Sequence, residues 1–496
     1  MPVSMNNIPN DIRVPLFYAE MDNSQANSGA TQLRRLLIGL VNDDVTPEAA
    51  LRLLSSPAEV ASVAGPGSML HEMYVIARQN DPIGETWVLP VKISAGAKST
   101  GKVTISGAAA AGGTLSVYVA DARVQVKVAL LMTAEEIASA VEGAINAATL
   151  PVTAVAAAKE VTVTCKFSGE IGNDIRLSIN LLGSAGGEVL PQGVLAAVTP
   201  MAGGTGVPDL DAALAAVGDE PFEFITHAFT DIASLNTFRD LMNDLSGRWA
   251  WNKQLYGHVY GAKRGTMGEL VTFGRTRNDP HGTVRCVEPQ KPTAVWKCAA
   301  GFAARTAVFI SADPARPTQT GAIVGEVPAP VGQRFGLTEH NSLLWAGIAT
   351  TYFEGDYERI SRAVTLYQTN AYGQPDDSYL DSETLHQSAY ILRKLRTDIT
   401  SKYGRHKLAN DGTRFGAGQA IITPNVIKAE LIAGYGAMER DGIVENAKAF
   451  RAHLIVERDA NNPNRVNVLY PPDYVNQLRI FALRNEFRLQ YMQEIA

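Results

Sequence analysis

Cysteine is scarce in this 496-residue chain, and the three present, Cys165, Cys286 and Cys298, form no CxxC pair. Their odd number and spacing suggest neither a disulfide framework nor a cysteine zinc site, and they fit a reducing compartment. Charge is also sparse, at 19% of residues, and basic residues are not in excess: 44 Lys and Arg against 50 Asp and Glu give a formal net charge of -6. Nucleic-acid-binding proteins carry a basic excess, so no direct nucleic-acid contact is expected. No apolar run approaches the roughly 18 residues that a membrane span requires. The opening MPVSMNNIPNDIR lacks a basic segment followed by an apolar core, so no signal peptide is expected either.

Catalytic signatures are missing as well. Gly96-Ala97-Lys98-Ser99-Thr100-Gly101-Lys102 matches the first seven positions of a phosphate-binding P-loop. Val103 then stands where Ser or Thr would hold magnesium, and the alternating VTIS that follows is a strand rather than a helix N-terminus. His71-Glu72 begins a zincin-like HExxH, but Val75 replaces the second histidine. The histidines at 71, 227, 258, 281, 340, 386, 406 and 453 show no short ligand spacing, and neither GxSxG nor GxGxxG occurs. No cofactor, metal or catalytic residue is expected. An α/β hydrolase stays open as a reading of a different class, because a Ser/His/Asp triad need not be close in sequence.

What is present reads as α/β plus α+β multidomain architecture. Leu36 to Val41 is an apolar strand, Thr46-Pro47 reads as the start of a helix, another helix follows near Met69 to Arg78, and Trp87 to Ile93 is again a strand. Between 95 and 204 the character changes: Gly/Ala-rich joints separate alternating strands such as Val161/Val163/Cys165/Phe167, with one helix opened by the box Thr133-Ala134-Glu135-Glu136. Strand-then-helix units resume from Phe222, which favours a mostly parallel sheet. We therefore expect a discontinuous α/β core domain (26–94 and 205–330) carrying a β-rich inserted domain (95–204). The Pro-containing EVPAPVG at 326–332 marks a boundary to an α+β C-terminal domain (331–473), whose long helix runs from Ser382 to Tyr403.

Both ends read as extended arms, at 1–25 and 474–496. Val14, Leu16 and Tyr18 share one face, as do Leu478/Ile480 and Phe487/Leu489/Tyr491 in the ending RVNVLYPPDYVNQLRIFALRNEFRLQY. Phe481 and Leu483 blur that pattern enough to allow a short helix. A terminal strand must pair within its own subunit or add to a neighbour's sheet. Arg393, Lys394, Arg396, Lys402, Arg405 and Lys407, against only Asp398, form a basic cluster that could dock an acidic protein surface or be a solvated helix face.

The segments NDIRVPLFYAEMDNS, Leu33-Arg34-Arg35-Leu36-Leu37-Ile38-Gly39, DDSYLDSETLHQSAYILRKLR and the ending above resemble the tail sheath proteins of contractile bacteriophages, in the Mu-like branch. The resemblance spans essentially the whole chain. It implies a non-enzymatic subunit of the virion tail, assembled in the host bacterial cytoplasm. Such subunits polymerise with themselves as stacked hexameric rings around the tail tube, and contract to drive it through the host envelope for genome ejection. It further implies arms that add strands to adjacent subunits, contacts with tail tube, baseplate and tail terminator proteins, and an insertion on the outside of the cylinder. The sheath of a phage-tail-like bacteriocin or injection system is the alternative of the same class, and a surface-binding module using the insertion is a further one.

Overall fold

A computed structural model describes residues 33–48, 50–416 and 418–489. The expected N-terminal arm with Val14, Leu16 and Tyr18 lies outside them, as does Tyr491.

The strand Arg35–Leu40, RLLIGL, is buried along its whole length, as a continuous apolar strand covered on both faces should be. It sits inside a nine-stranded sheet. On one side it pairs in parallel with Thr86–Val91, and on the other with Phe224–Thr226; His258–Arg264, Gly282–Val287 and Ile348–Glu354 follow, each parallel to the last. Antiparallel strands finish both edges: Arg52–Leu53 at one, Tyr357–Arg362 and then Ala322–Ile323 at the other. Helices Met69–Asn80 and Val295–Ala312 pack together over one face. The crossovers through Ile232–Met242 and Met267–Arg275 run the opposite way along the sheet, so right-handed connections place them on the other face.

Two expectations need correction here. Thr46-Pro47 opens no helix; the carbonyls of Asp43 and Val45 are instead taken by the Lys92 ammonium at 2.6 and 2.9 Å, and the first helix is Pro57–Ala64, capped by Ser56. The boundary at 330/331 is also misplaced, because Ile348–Glu354 and Tyr357–Arg362 belong to the central sheet. EVPAPVG is not a linker: the Glu326 carboxylate lies in a fully buried cluster, 2.6 and 2.8 Å from the Arg285 guanidinium and 3.0 Å from the Lys291 ammonium, with Glu358 2.7 Å from Lys291. Burial alone would raise the Glu326 carboxyl, but the two cations outweigh it and hold it at about 2.

The chain leaves the sheet after Thr86–Val91 and returns at Phe224. Between them lie a four-stranded antiparallel sheet, ordered Leu195–Ala202, Lys98–Ser106, Glu160–Ser168, Val152–Ala157, and a three-stranded one, ordered Ala122–Val128, Gly113–Val119, Leu177–Ile179. Helix Ala134–Ala147, with the expected capping box, packs beside them. Asp174 ties this region to the central sheet: its carboxylate grips Arg264 at 2.5 and 3.2 Å and accepts the Val295 N–H at 2.9 Å, at the start of helix Val295–Ala312.

After the sheet come helices Ser382–Tyr403, Pro424–Arg440 and Ala447–His453 with three short two-stranded pairings. They enclose a core of Ile391, Ile422, Leu431, Tyr435, Met438 and Phe450, in which the Tyr435 and Phe450 rings stack at 3.8 Å.

Candidate assembly site

Helix Ser382–Tyr403 joins the two parts of the molecule. Its first half is buried, from Ser382 through Ile391, and its second half emerges. His386 lies in the buried half: its Nδ1 is 2.5 Å from Glu223 Oε1 and its Nε2 is 2.7 Å from the Tyr260 hydroxyl. Arg393, two turns on, pairs with the second Glu223 oxygen. Glu223 immediately precedes strand Phe224–Thr226 and Tyr260 belongs to His258–Arg264, so the helix is bonded to the beginnings of two parallel strands. Burial would raise the Glu223 carboxyl, but the Arg393 guanidinium and the His386 hydrogen bond prevail and keep it at about 2. His258 is pushed well below the usual imidazole range, first by burial and then by His386. The Glu–His–Tyr line resembles an acid–base relay. Glu223, Tyr260 and His386 are all buried, however, so no substrate reaches them in this conformation, and what the line does is hold the helix to the sheet.

The C-terminal stretch starts as structure and ends as a bare strap. Val466–Leu469 finds its partner within the subunit, pairing antiparallel with Ile455–Arg458, and Asp473–Tyr474 pairs with Val444–Glu445. Beyond it the chain is pinned through polar groups. The Val475 N–H donates to the Ile443 carbonyl at 3.3 Å, the Gln477 amide to the Ala315 carbonyl at 3.1 Å, and the Gln319 amide to the Leu478 carbonyl at 3.1 Å. The Arg479 guanidinium lies 3.2 Å from both Asp381 Oδ1 and Glu383 Oε1. Alternation does the rest: with Gln477 and Arg479 turned inward, Leu478 and Ile480 point out, 69% and 80% exposed. Phe481, Leu483, Phe487 and Leu489 follow, all exposed.

Leu478/Ile480 and Phe487/Leu489 were expected in strands and Phe481/Leu483 in a possible helix; residues 475–489 adopt neither. A strand needs a paired backbone, and among the described residues no ladder continues past Asp473–Tyr474. The basic cluster is partly dispersed. Arg393 is committed to Glu223, Lys394 lies 3.4 Å from Asp398, Lys402 pairs with Glu430, and Lys407 donates to Gln419 at 3.2 Å. Arg396, Lys402, Arg405 and Lys407 are exposed along the emergent half of the helix and its exit. Sequence reasoning missed Glu223, His386 and Arg479, whose partners are distant in the chain. It also set aside Glu72, which proves to be a half-buried acceptor for the Trp296 indole N–H at 2.7 Å; desolvation pushes its carboxyl up to about 7.

A central α/β sheet, a C-terminal unit bonded to it through one long helix, and an exposed apolar strap describe a subunit built for assembly, and comparison with known proteins gives the class. Residues 203–366 match the phage tail sheath protein central domain and residues 374–488 match the phage tail sheath C-terminal domain. Over 497 aligned residues, covering 99% of this chain and 100% of the relative, the chain is 39% identical to the Mu-like prophage FluMu tail sheath protein of Haemophilus influenzae. The chain belongs to the phage tail sheath family, among the sheath proteins of Mu-like phages. Among solved structures it is similar to the sheath tail protein of Desulfitobacterium hafniense (TM-score 0.48, 12% identity, 94% of this chain and 97% of that one). It is also similar to the helical sheath of the anti-feeding prophage in its contracted state (TM-score 0.47, 10% identity, 97% and 100%).

Proposed function

We propose that the chain is the force-transmitting subunit of a contractile virion tail, polymerising as stacked hexameric rings around a tail tube and contracting to drive the tube through the host envelope for genome ejection. Membership of the sheath family supports this reading, and the strap from Leu478 to Leu489 carries it. Six large apolar side chains stand in water along a segment whose root is fixed by Arg479, the arrangement expected of a segment whose partner sheet lies on another copy. A strand of about half a dozen backbone hydrogen bonds at roughly 0.5 to 1.5 kcal/mol each gains several kcal/mol, against about 2 to 5 kcal/mol for ordering it. One strap is therefore marginal, and a closed ring of them is strong. In the same scheme the exposed Arg396, Lys402, Arg405 and Lys407 face the tail tube, the inserted region lies on the outside, and baseplate and tail terminator proteins bind the ends.

The test is electron microscopy of the full chain beside a form ending at Arg479. The full chain should give rings or tubes, and the shortened one dispersed particles with an unchanged circular dichroism spectrum. Normal tubes from the shortened form would refute the role given to the strap.

A further inference from the structure

We propose that Asn146 guards a sheet edge, closing the strand Val152–Ala157 to addition of the same strand from a second copy. This strand is the last of the four-stranded sheet, so among the described residues its outer backbone groups have no ladder partner. The opposite edge, Leu195–Ala202, carries two ordinary defences, Pro200 within the strand and a register shift between Thr199 and Ala202. Val152–Ala157 reads VTAVAA and has neither. It contains no charge, proline or glycine, and Val155 is 62% exposed on it, which is the composition of an edge that recruits strands.

The defence comes from the neighbouring helix. Asn146, in the last turn of Ala134–Ala147, places its carboxamide against Ala154: its Nδ2 donates to the Ala154 carbonyl at 2.8 Å, and its Oδ1 accepts the Ala154 N–H at 2.8 Å. Those are the two hydrogen bonds a paired strand would make at that position. Ala154 faces Val163 in the register with Glu160–Ser168, and its own N–H and C=O point away from that partner, to the outside. A carboxamide supplies a donor and an acceptor together; a carboxylate supplies only the acceptor and a methyl neither. Asn146 thus occupies the middle of the edge with a one-residue imitation of a strand. In a lattice that holds many copies close together, that keeps association to the surfaces meant for it. The inference stands on this edge alone and does not depend on where the terminal strap docks.

The test compares full-length wild type, Asn146→Ala, Asn146→Asp and Asn146→Ala/Val155→Lys, by sedimentation velocity over a concentration series below that at which wild type forms rings or tubes. Two backbone bonds made available to a partner should lower the half-association concentration of Asn146→Ala about tenfold. Asn146→Asp should fall between it and wild type, and a lysine on the exposed face should restore wild-type behaviour. Amide exchange at Ala154 should accelerate in Asn146→Ala at low concentration. Wild-type dispersal of Asn146→Ala overturns the proposal. So does association that Val155→Lys fails to suppress, the sign of an unfolded domain rather than an opened edge.

Discussion

Replacing Arg393 by Ala separates two views of that residue. From sequence it belongs to a basic surface cluster; in the fold it neutralises a carboxylate that is 2% exposed. Glu223 sits at about 2 instead of 4.5. That lowering corresponds to about 3 kcal/mol of preference for the ionised form in the folded protein. Arg393 and His386 share that stabilisation, and leaving a buried charge without one of its partners typically costs about 3 to 5 kcal/mol. Arg393→Ala should therefore lose about 2 to 3 kcal/mol by urea unfolding at pH 7, while Arg396→Ala, on the exposed face, stays within about 0.5 kcal/mol of wild type. The sign with pH follows from a folded pKa below the unfolded one. The Glu223 contribution is complete above 4.5 and is lost as pH falls toward 2, so wild type should lose stability across that window and Arg393→Ala should lose less. Equal effects of Arg393→Ala and Arg396→Ala, or identical acid profiles, would refute the assignment.

Glu72 predicts the opposite slope. Its folded pKa, about 7, lies above its unfolded value, so its contribution is complete below 4.5 and is lost as pH rises toward 7. Glu72→Gln, which can still accept from Trp296, should match wild type near pH 4.5 and exceed it by on the order of 2 to 3 kcal/mol at pH 8 in thermal or urea unfolding. Arg479→Ala should leave the core intact and release the strap, with faster amide exchange over residues 475–479 and earlier proteolysis there, at a stability loss of about 1 to 3 kcal/mol for the partners left behind; unchanged exchange would count against the anchoring role.

Local chemistry was readable in the sequence wherever one segment contains the whole signal. The alternating Val161, Val163, Cys165 and Phe167 all point into the core, and the box Thr133/Glu136 closes. What depended on distant partners was not readable. EVPAPVG has the composition of a linker, and nothing near it announces Arg285 and Lys291, which fix Glu326 in the interior. Glu223 meets His386 across 163 residues and Arg393 across 170, so nothing local to helix Ser382–Tyr403 announces the polar contacts that set it. In the strap the alternation was visible, but which face turned inward was not: Gln477 and Arg479 decide that, and they turn the apolar face to solvent.

That inversion ties two properties together. Leu478, Ile480 and the exposed residues after them present apolar surface to water in a single subunit, and in the proposed assembly they also set how firmly it is held once joined. A polar substitution that made the free subunit easier to handle would weaken the polymer by the same contacts, and a more apolar one would strengthen the polymer while narrowing the interval in which a subunit can find its proper place. In the proposed assembly the strap is a timer on the unassembled protein as much as a bond in the assembled one.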